Sequence, residues 1–148
     1  MTLAELCLLA AVILWLATIG LAKGFGWRDY DNARPRSEGF YASGWRARAL
    51  GAHQNGLEAL PFFFASVLLA EFRAVPQDVV DTLATAFLAA RVAYVAAYIG
   101  DRALLRSVIW TAGFLINIAL FLSPMIVDVA ARSAGPRIGL QSMGVLAG

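Results

Sequence analysis

The chain is poor in the residues that build sites by covalent or metal chemistry. Of its 148 residues one is cysteine and one is histidine. A single Cys7 excludes an intrachain disulfide and a cysteine metal site. With His53 alone there is no multi-histidine cluster and no His-x-x-Glu-His arrangement, so no metal is expected. Cys7 lies in an apolar run, where a lone thiol reads as a small hydrophobe and not as a nucleophile. Charge is scarce too. Asp, Glu, Lys and Arg make up 15% of the chain and the net charge is +2, against about 25% charged residues in a soluble domain. That surplus is small and no basic stripe is interleaved with aromatics, so nucleic acid is not an expected partner.

What fills the chain instead is hydrophobicity. Apolar residues reach 60%, above the roughly 45–50% of soluble domains. They fall into four runs, at about 2–22, 46–72, 79–100 and 107–129. Roughly 20 helical residues, rising about 1.5 Å each, cross a ~30 Å hydrocarbon core. The expected fold class is therefore all-α: an integral membrane four-helix bundle of up-down topology spanning residues 1–130 and embedded in a lipid bilayer. The first run has Glu5 and no Lys or Arg ahead of it. Its apolar stretch, 6–22, exceeds the roughly 7–15 residues of a signal-peptide core, so it reads as a retained span. Residues 131–148, punctuated by Gly, Ser and Pro, read as a poorly ordered tail.

Between the first two spans lies a polar loop, 24–44, long for a connection and so expected to be functional, packed against a partner, or mobile. Trp27, Tyr30, Phe40, Tyr41 and Trp45 along it read as an interfacial aromatic belt rather than a soluble core. Ser43 is a candidate N-cap for the second helix, and Pro61 inside that helix predicts a kink. Pro124 is expected to bend the last turn of the fourth. Lys23, Arg28, Arg34, Arg36, Arg46, Arg48, Arg102 and Arg106 fall on one side of the spans, against Arg73, Arg132 and Arg137 on the other. Positive-inside then puts 23–48 and 100–106 in the cytoplasm and both termini outside.

Two ionisable residues sit well inside helical segments, Glu58 and Arg91. Such residues are expensive in a bilayer and mark function by default. Both lie about ten residues from the cytoplasmic end of their helix, so their depths agree within roughly a turn, and an ion pair between them is expected. On the second helix Arg48 and Asn55 share a face with Glu58 nearby. On the third, Arg91, Tyr94, Tyr98 and Arg102 form one stripe. One reading is structural: the pair and Asn55 fix helix register. The other is a polar cavity open to the cytoplasm, lined by Arg48, Asn55, Glu58, Arg91, Tyr94, Tyr98, Arg102 and Arg106. Four converging arginines suit an anionic ligand, a peptide carboxylate or a lipid head group. His53 points away from Asn55 and reads as a surface or subunit contact. Trp110 and Phe114 read as lipid-facing or packing rings, and Gly113 as a weak close-approach signal.

The run from Arg48 through Asn55, Glu58 and Pro61 to Phe63 resembles the second-helix signature of the MAPEG family, membrane-associated proteins in eicosanoid and glutathione metabolism. Arg91-Val-Ala-Tyr94-Val-Ala-Ala-Tyr98-Ile-Gly-Asp-Arg102, followed by Arg106-Ser-Val, resembles that family's third helix and third turn. The resemblance implies a homotrimer, of bacterial type and in an inner membrane, with glutathione held between subunits on the cytoplasmic side. It implies contacts to the tripeptide from Asn55, Glu58, Arg91, Tyr94 and Tyr98, with Arg106 activating the thiol. Arg48 and Arg102 join them as candidate binding residues.

The implied activity is glutathione-dependent transfer or peroxide reduction on a small lipophilic electrophile. Two departures bear on it. Gly51 stands where glutathione-binding members carry an arginine, and Ala59 where some carry a tyrosine. Each missing contact weakens the cradle, about ten- to hundredfold for an arginine, unless Arg48 reaches inward. The competing expectation is a non-catalytic protein of the same fold that binds a lipid or other anion in the same cleft. A transporter is disfavoured, since four short spans show no inverted repeat.

Overall fold

The computed structural model describes residues 1–133. Four helices carry the chain: α1 (Leu3–Phe25), α2 (Gly44–Phe72), α3 (Gln77–Ile99) and α4 (Ala103–Ser133). A short 3-10 turn, Glu38–Tyr41, sits between α1 and α2. All four helices are long and apolar enough to cross a membrane. α4 extends several residues beyond the expected 107–129 at both ends. The expected tail begins inside this helix, and its remainder lies outside the described residues.

Each helix end has a local cause. Thr2 caps α1 by accepting from the Glu5 amide at 3.1 Å, while the Glu5 carboxylate accepts from the Thr2 amide at 2.8 Å. This reciprocal pair satisfies two orphan donors at the helix start. Ser43 does occupy the N-cap of α2, with extended backbone and no side-chain cap bond. Both short interhelical turns are Schellman motifs. After α2, Val75 N–H donates to Ala70 C=O and Ala74 N–H to Glu71 C=O, both at 3.0 Å. After α3, Arg102 N–H donates to Ala97 C=O at 2.9 Å and Asp101 N–H to Tyr98 C=O at 3.2 Å. The motif needs one left-handed residue, and here those are Ala74 (φ 52°) and Asp101 (φ 60°) instead of glycine. Pro61 and Pro124 lie within continuous helix, and α4 runs nine residues past Pro124.

The contacts between helix ends give the up-down order. Thr2 and Ala4 at the start of α1 reach Glu71 at the end of α2 and Asp81 near the start of α3. Arg73 after α2 pairs with Asp128 near the end of α4. At the opposite end Arg48 of α2 meets Ile99 of α3. α2 and α3 each touch both outer helices, whereas α1 and α4 do not meet among the described residues.

The core is built largely from small side chains. Ala4, Ala49, Ala52, Ala70 and Ala84 are buried to within 1%, which lets helix backbones approach where lipid supplies no hydrophobic drive between them. Phe63 stacks on Phe87 at 4.2 Å at the centre, with Val67, Val80 and Leu120 around them. Cys7 is buried there, as expected of a structural thiol, its Sγ 3.7 Å from Thr85 Oγ1. Leu3, Leu6, Leu9, Ile13 and Leu16 of α1 stay exposed along one stripe, the face a membrane helix offers to lipid.

The loop after α1 departs from its expected role. Phe40 and Tyr41 are each 8% exposed and form a second small core with Ala22 and Ala49. The rings pack edge to face at 4.8 Å, and the Arg46 guanidinium lies 4.7 Å above Phe40. These two aromatics pack the loop onto the bundle, Tyr30 and Trp45 are half-buried, and Trp27, 69% exposed, is the ring of the five most open to an interfacial belt. Burial pushes the Tyr41 phenol above its ordinary pKa, an effect opposed by the Lys23 ammonium and reinforced by Tyr30.

Candidate functional site

The polar residues of α2 and α3 meet where those helices face α4. Arg91 is 8% exposed, and its guanidinium donates to Asn55 Oδ1 at 3.0 Å. Asn55 in turn donates from Nδ2 to the Glu58 carboxylate at 3.3 Å. The expected direct Glu58–Arg91 ion pair is absent among the described residues; the Asn55 amide stands between them. Both line one cleft, but it is the Asn55 amide, and not the acid, that meets the guanidinium. Arg91 thus brings its charge inside the bundle with no carboxylate within 4.0 Å among the described residues. Burying a charge in this state is costly unless a counter-charge arrives.

From Arg91 an aromatic chain leads outward. The guanidinium sits 4.5 Å from the Tyr94 ring, Tyr94 packs edge to face on Tyr98 at 5.6 Å, and Arg106 lies 4.4 Å over Tyr98. The far end of the stripe is therefore Arg106 of α4 and not Arg102, which is exposed in the turn, where its carbonyl accepts the Arg106 amide at 2.9 Å. Arg48 does not reach inward either. Its Nε donates to Ile99 C=O at 2.9 Å and Nη1 approaches Asp101 at 3.5 Å, so it satisfies the C-terminus of α3. Of the eight sequence candidates, Asn55, Glu58, Arg91, Tyr94, Tyr98 and Arg106 line the site, and Arg48 and Arg102 do not.

The site has two limbs that share Asn55, Tyr94 and Trp110. The outer limb is open, about 300 Å³, and adds Tyr98, Arg106, Ser107 and Thr111. The inner limb is a cleft of about 210 Å³ between α2, α3 and α4, lined by Glu58 and Arg91 at the polar end and by Phe62, Phe87, Ile109 and Phe114 deeper in. A charged mouth leading to an apolar hollow accommodates a polar reactant and a lipophilic one side by side. Trp110 and Phe114, stacked at 5.3 Å, line this hollow and are more than lipid-facing rings. Gly113 also lies on it, where a Cβ would sit 3.4 Å from Ala90.

Gly51 gains a reason. A Cβ at this position would collide with the Tyr98 phenol, lying 2.8 Å from Cζ. The ring occupies the space that any longer side chain at 51 would need. His53 is not a free surface group: Nδ1 lies 3.0 Å from Trp15 C=O and the two rings stack at 4.8 Å, joining α2 to α1. Sequence reasoning missed Asn117, 2% exposed and lining the inner cleft. The available signal was one carboxamide in an otherwise apolar stretch of α4. Among the described residues no cluster of His, Cys, Asp and Glu is placed to hold a metal.

A model of the MAPEG family matches residues 1–126, from α1 into α4. The chain belongs to the MAPEG family. No curated protein matches it. As a MAPEG protein with four membrane-spanning helices it is a multi-pass membrane protein, and its Asn55–Arg91 bond and Tyr94–Tyr98–Arg106 chain lie in the segments whose motifs carried the resemblance.

Proposed function

We propose that this MAPEG protein is a membrane-bound, glutathione-dependent transferase or peroxidase acting on a lipophilic electrophile. One observation carries the reading: a guanidinium buried at Arg91, without a carboxylate partner among the described residues, at the inner end of a polar mouth. Glutathione matches that mouth in charge, having a carboxylate for Arg91 and an ammonium for Glu58, which leaves Arg106 for the thiol. When bound it supplies the thiol that attacks the electrophile.

The residues then divide the work. Arg91 and Asn55 hold the peptide by charge-assisted and amide hydrogen bonds, each charged contact worth about 1.5–3 kcal/mol. Tyr98 stacks beneath the Arg106 guanidinium and fixes its plane. Arg106 places positive charge beside the sulfur, lowering its pKa so that the thiolate is populated at neutral pH. Phe62, Phe87, Ile109 and Phe114 exclude water around the lipophile. On this reading the protein is a homotrimer in an inner membrane of bacterial type, with the 23–48 and 100–106 segments in the cytoplasm, where glutathione is available and where the basic residues belong.

A second reading, a non-catalytic MAPEG protein binding a lipid or other anion in the same cleft, is favoured by Gly51, since the Tyr98 ring leaves no room there for the arginine of glutathione-binding members. Purified protein with millimolar glutathione separates the two. Thermal stabilisation, with conjugation of a chlorinated nitroaromatic that Arg106→Ala abolishes in a still-folded protein, supports the enzyme. Neither a melting shift nor turnover leaves the binding protein.

A further inference from the structure

Arg48 takes no part in the site between α2, α3 and α4. It stands at the end of a second groove, between α1, α2 and α3, that shares no lining residue with that site. This groove, about 450 Å³, is lined by Thr18, Leu21 and Phe25 of α1, Trp45 of α2 and Ile99 of α3. Apolar space of ~150 Å³ already accommodates a benzene ring, so a stretch of hydrocarbon chain fits here. The one hydroxyl in its wall, on Thr18, donates to Leu14 C=O at 2.7 Å and asks nothing of a guest. Phe25 and Trp45 meet edge to face at 6.4 Å where the groove ends beside the 24–44 loop. Positive charge gathers at that end. Residues 23–48 and 100–106 hold eight Lys and Arg against Asp29, Asp31, Glu38 and Asp101. Arg48 is the base that contact ties to the groove. It lies three residues past Trp45, and its Nε donates to the carbonyl of Ile99 at 2.9 Å. That bond engages one of five guanidinium N–H groups. Asp101, 75% exposed, lies 3.5 Å from Nη1 and is a loose counter-ion, so the 31% exposed Arg48 retains donors for an oxyanion.

We propose that this groove binds an anionic phospholipid from the leaflet at the basic end of the bundle. One acyl chain lies against Leu21, Phe25 and Ile99, and the phosphate is held at the rim by Arg48. A zwitterionic lipid offers the same phosphate together with an ammonium that the surrounding bases repel, so a headgroup of net negative charge is preferred. The inference rests on neither glutathione binding nor turnover.

The test is fluorescence quenching of the full-length protein in phosphatidylcholine nanodiscs without glutathione. Lipid with brominated acyl chains, either phosphatidylglycerol or phosphatidylcholine, is titrated in. Bromine quenches indole emission on contact, and the part of the signal lost in Trp45→Phe reports the groove. Brominated phosphatidylglycerol is expected to quench Trp45 with about fivefold higher affinity than brominated phosphatidylcholine, as one arginine at a charged membrane surface provides. Arg48→Gln is expected to abolish that preference. Arg36→Gln, which removes an exposed charge of the same sign from the loop, is expected to keep it. Equal quenching of the wild type by both lipids overturns the proposal. So does the absence of Trp45 quenching by either, the result expected where a second copy of the chain covers the groove. A preference that survives Arg48→Gln, or that Arg36→Gln abolishes equally, overturns it as well. Should Arg48→Gln not fold, Leu21→Phe narrows the groove and leaves every charge in place: loss of the preference supports the site, and its persistence overturns it. Because glutathione is absent from the assay, its melting shift tests the catalytic reading separately.

Discussion

Replacing Arg91 by methionine separates a structural guanidinium from a functional one. Among the described residues Arg91 has one hydrogen bond, 3.0 Å to a neutral amide, and one ring beneath it at 4.5 Å. Losing these costs about 1.5–3 kcal/mol for the hydrogen bond and about 0.5–2 kcal/mol for the cation–π contact. Against that stands the relief of desolvating a charge, several kcal/mol per ion. The two sides nearly cancel, so Arg91→Met is expected to melt within a few degrees of the wild type in the absence of ligand. Ligand response should differ sharply. At one hundred times Kd, glutathione stabilises by about 2.7 kcal/mol. A hundredfold weaker site at the same concentration gains only about 0.4 kcal/mol. The assay is thermal unfolding of purified protein with and without millimolar glutathione. A variant destabilised by about 3–5 kcal/mol without ligand, the expected cost of breaking a buried pair, would refute the argument that the charge awaits a guest. So would a glutathione shift that persists unchanged.

Other outcomes follow from particular contacts. Gly51→Ala is expected to push the Tyr98 phenol toward the open limb, lowering glutathione affinity about tenfold, while helix propensity returns up to about 1 kcal/mol of stability; titration of the melting shift measures both. Ala74→Gly relieves a left-handed alanine in the turn after α2 and should raise stability by about 1 kcal/mol, read as a higher melting temperature. Phe63→Ala opens a cavity opposite Phe87 and is expected to cost about 3–5 kcal/mol, measured the same way. The Tyr41 phenol, raised in pKa by burial, ionises more readily in the undocked loop than in the docked one. The stability it contributes is complete below the ordinary tyrosine range near pH 10 and falls as pH rises through the folded value. Limited proteolysis of the 24–44 loop should therefore accelerate at alkaline pH in the wild type, and less so in Tyr41→Phe.

The spans were legible because runs of apolar residues as long as a bilayer is thick have few alternatives, and the spacing of Arg91, Tyr94 and Tyr98 fixed their common face. What one sequence does not give is rotation of one helix about its axis relative to the next. That single unknown accounts for the ion pair expected between Glu58 and Arg91 where an Asn55 bridge is found, and for Arg48 turning to the α3 C-terminus. Aromatic rings in a polar loop are equally ambiguous: Phe40 and Tyr41 become core only because Ala22 and Ala49 leave room beneath them. The Thr2–Glu5 capping box, by contrast, was readable from its Thr-x-x-Glu spacing and was passed over. Asn117 needed the fold, since a carboxamide on an apolar helix faces either lipid, a partner or a hollow, and periodicity alone does not choose.

The amide bridge at Asn55 has a consequence for molecular selection. Had acid and base touched, they would have neutralised each other and presented a guest with little net field. Separated by a carboxamide whose oxygen faces one and whose nitrogen faces the other, they remain a fixed dipole of known direction. A zwitterion entering in one orientation finds both its poles answered, and in the reverse orientation finds both repelled. On the proposed reading the pair would act as a polarity key, selecting which end of a dipolar molecule enters first.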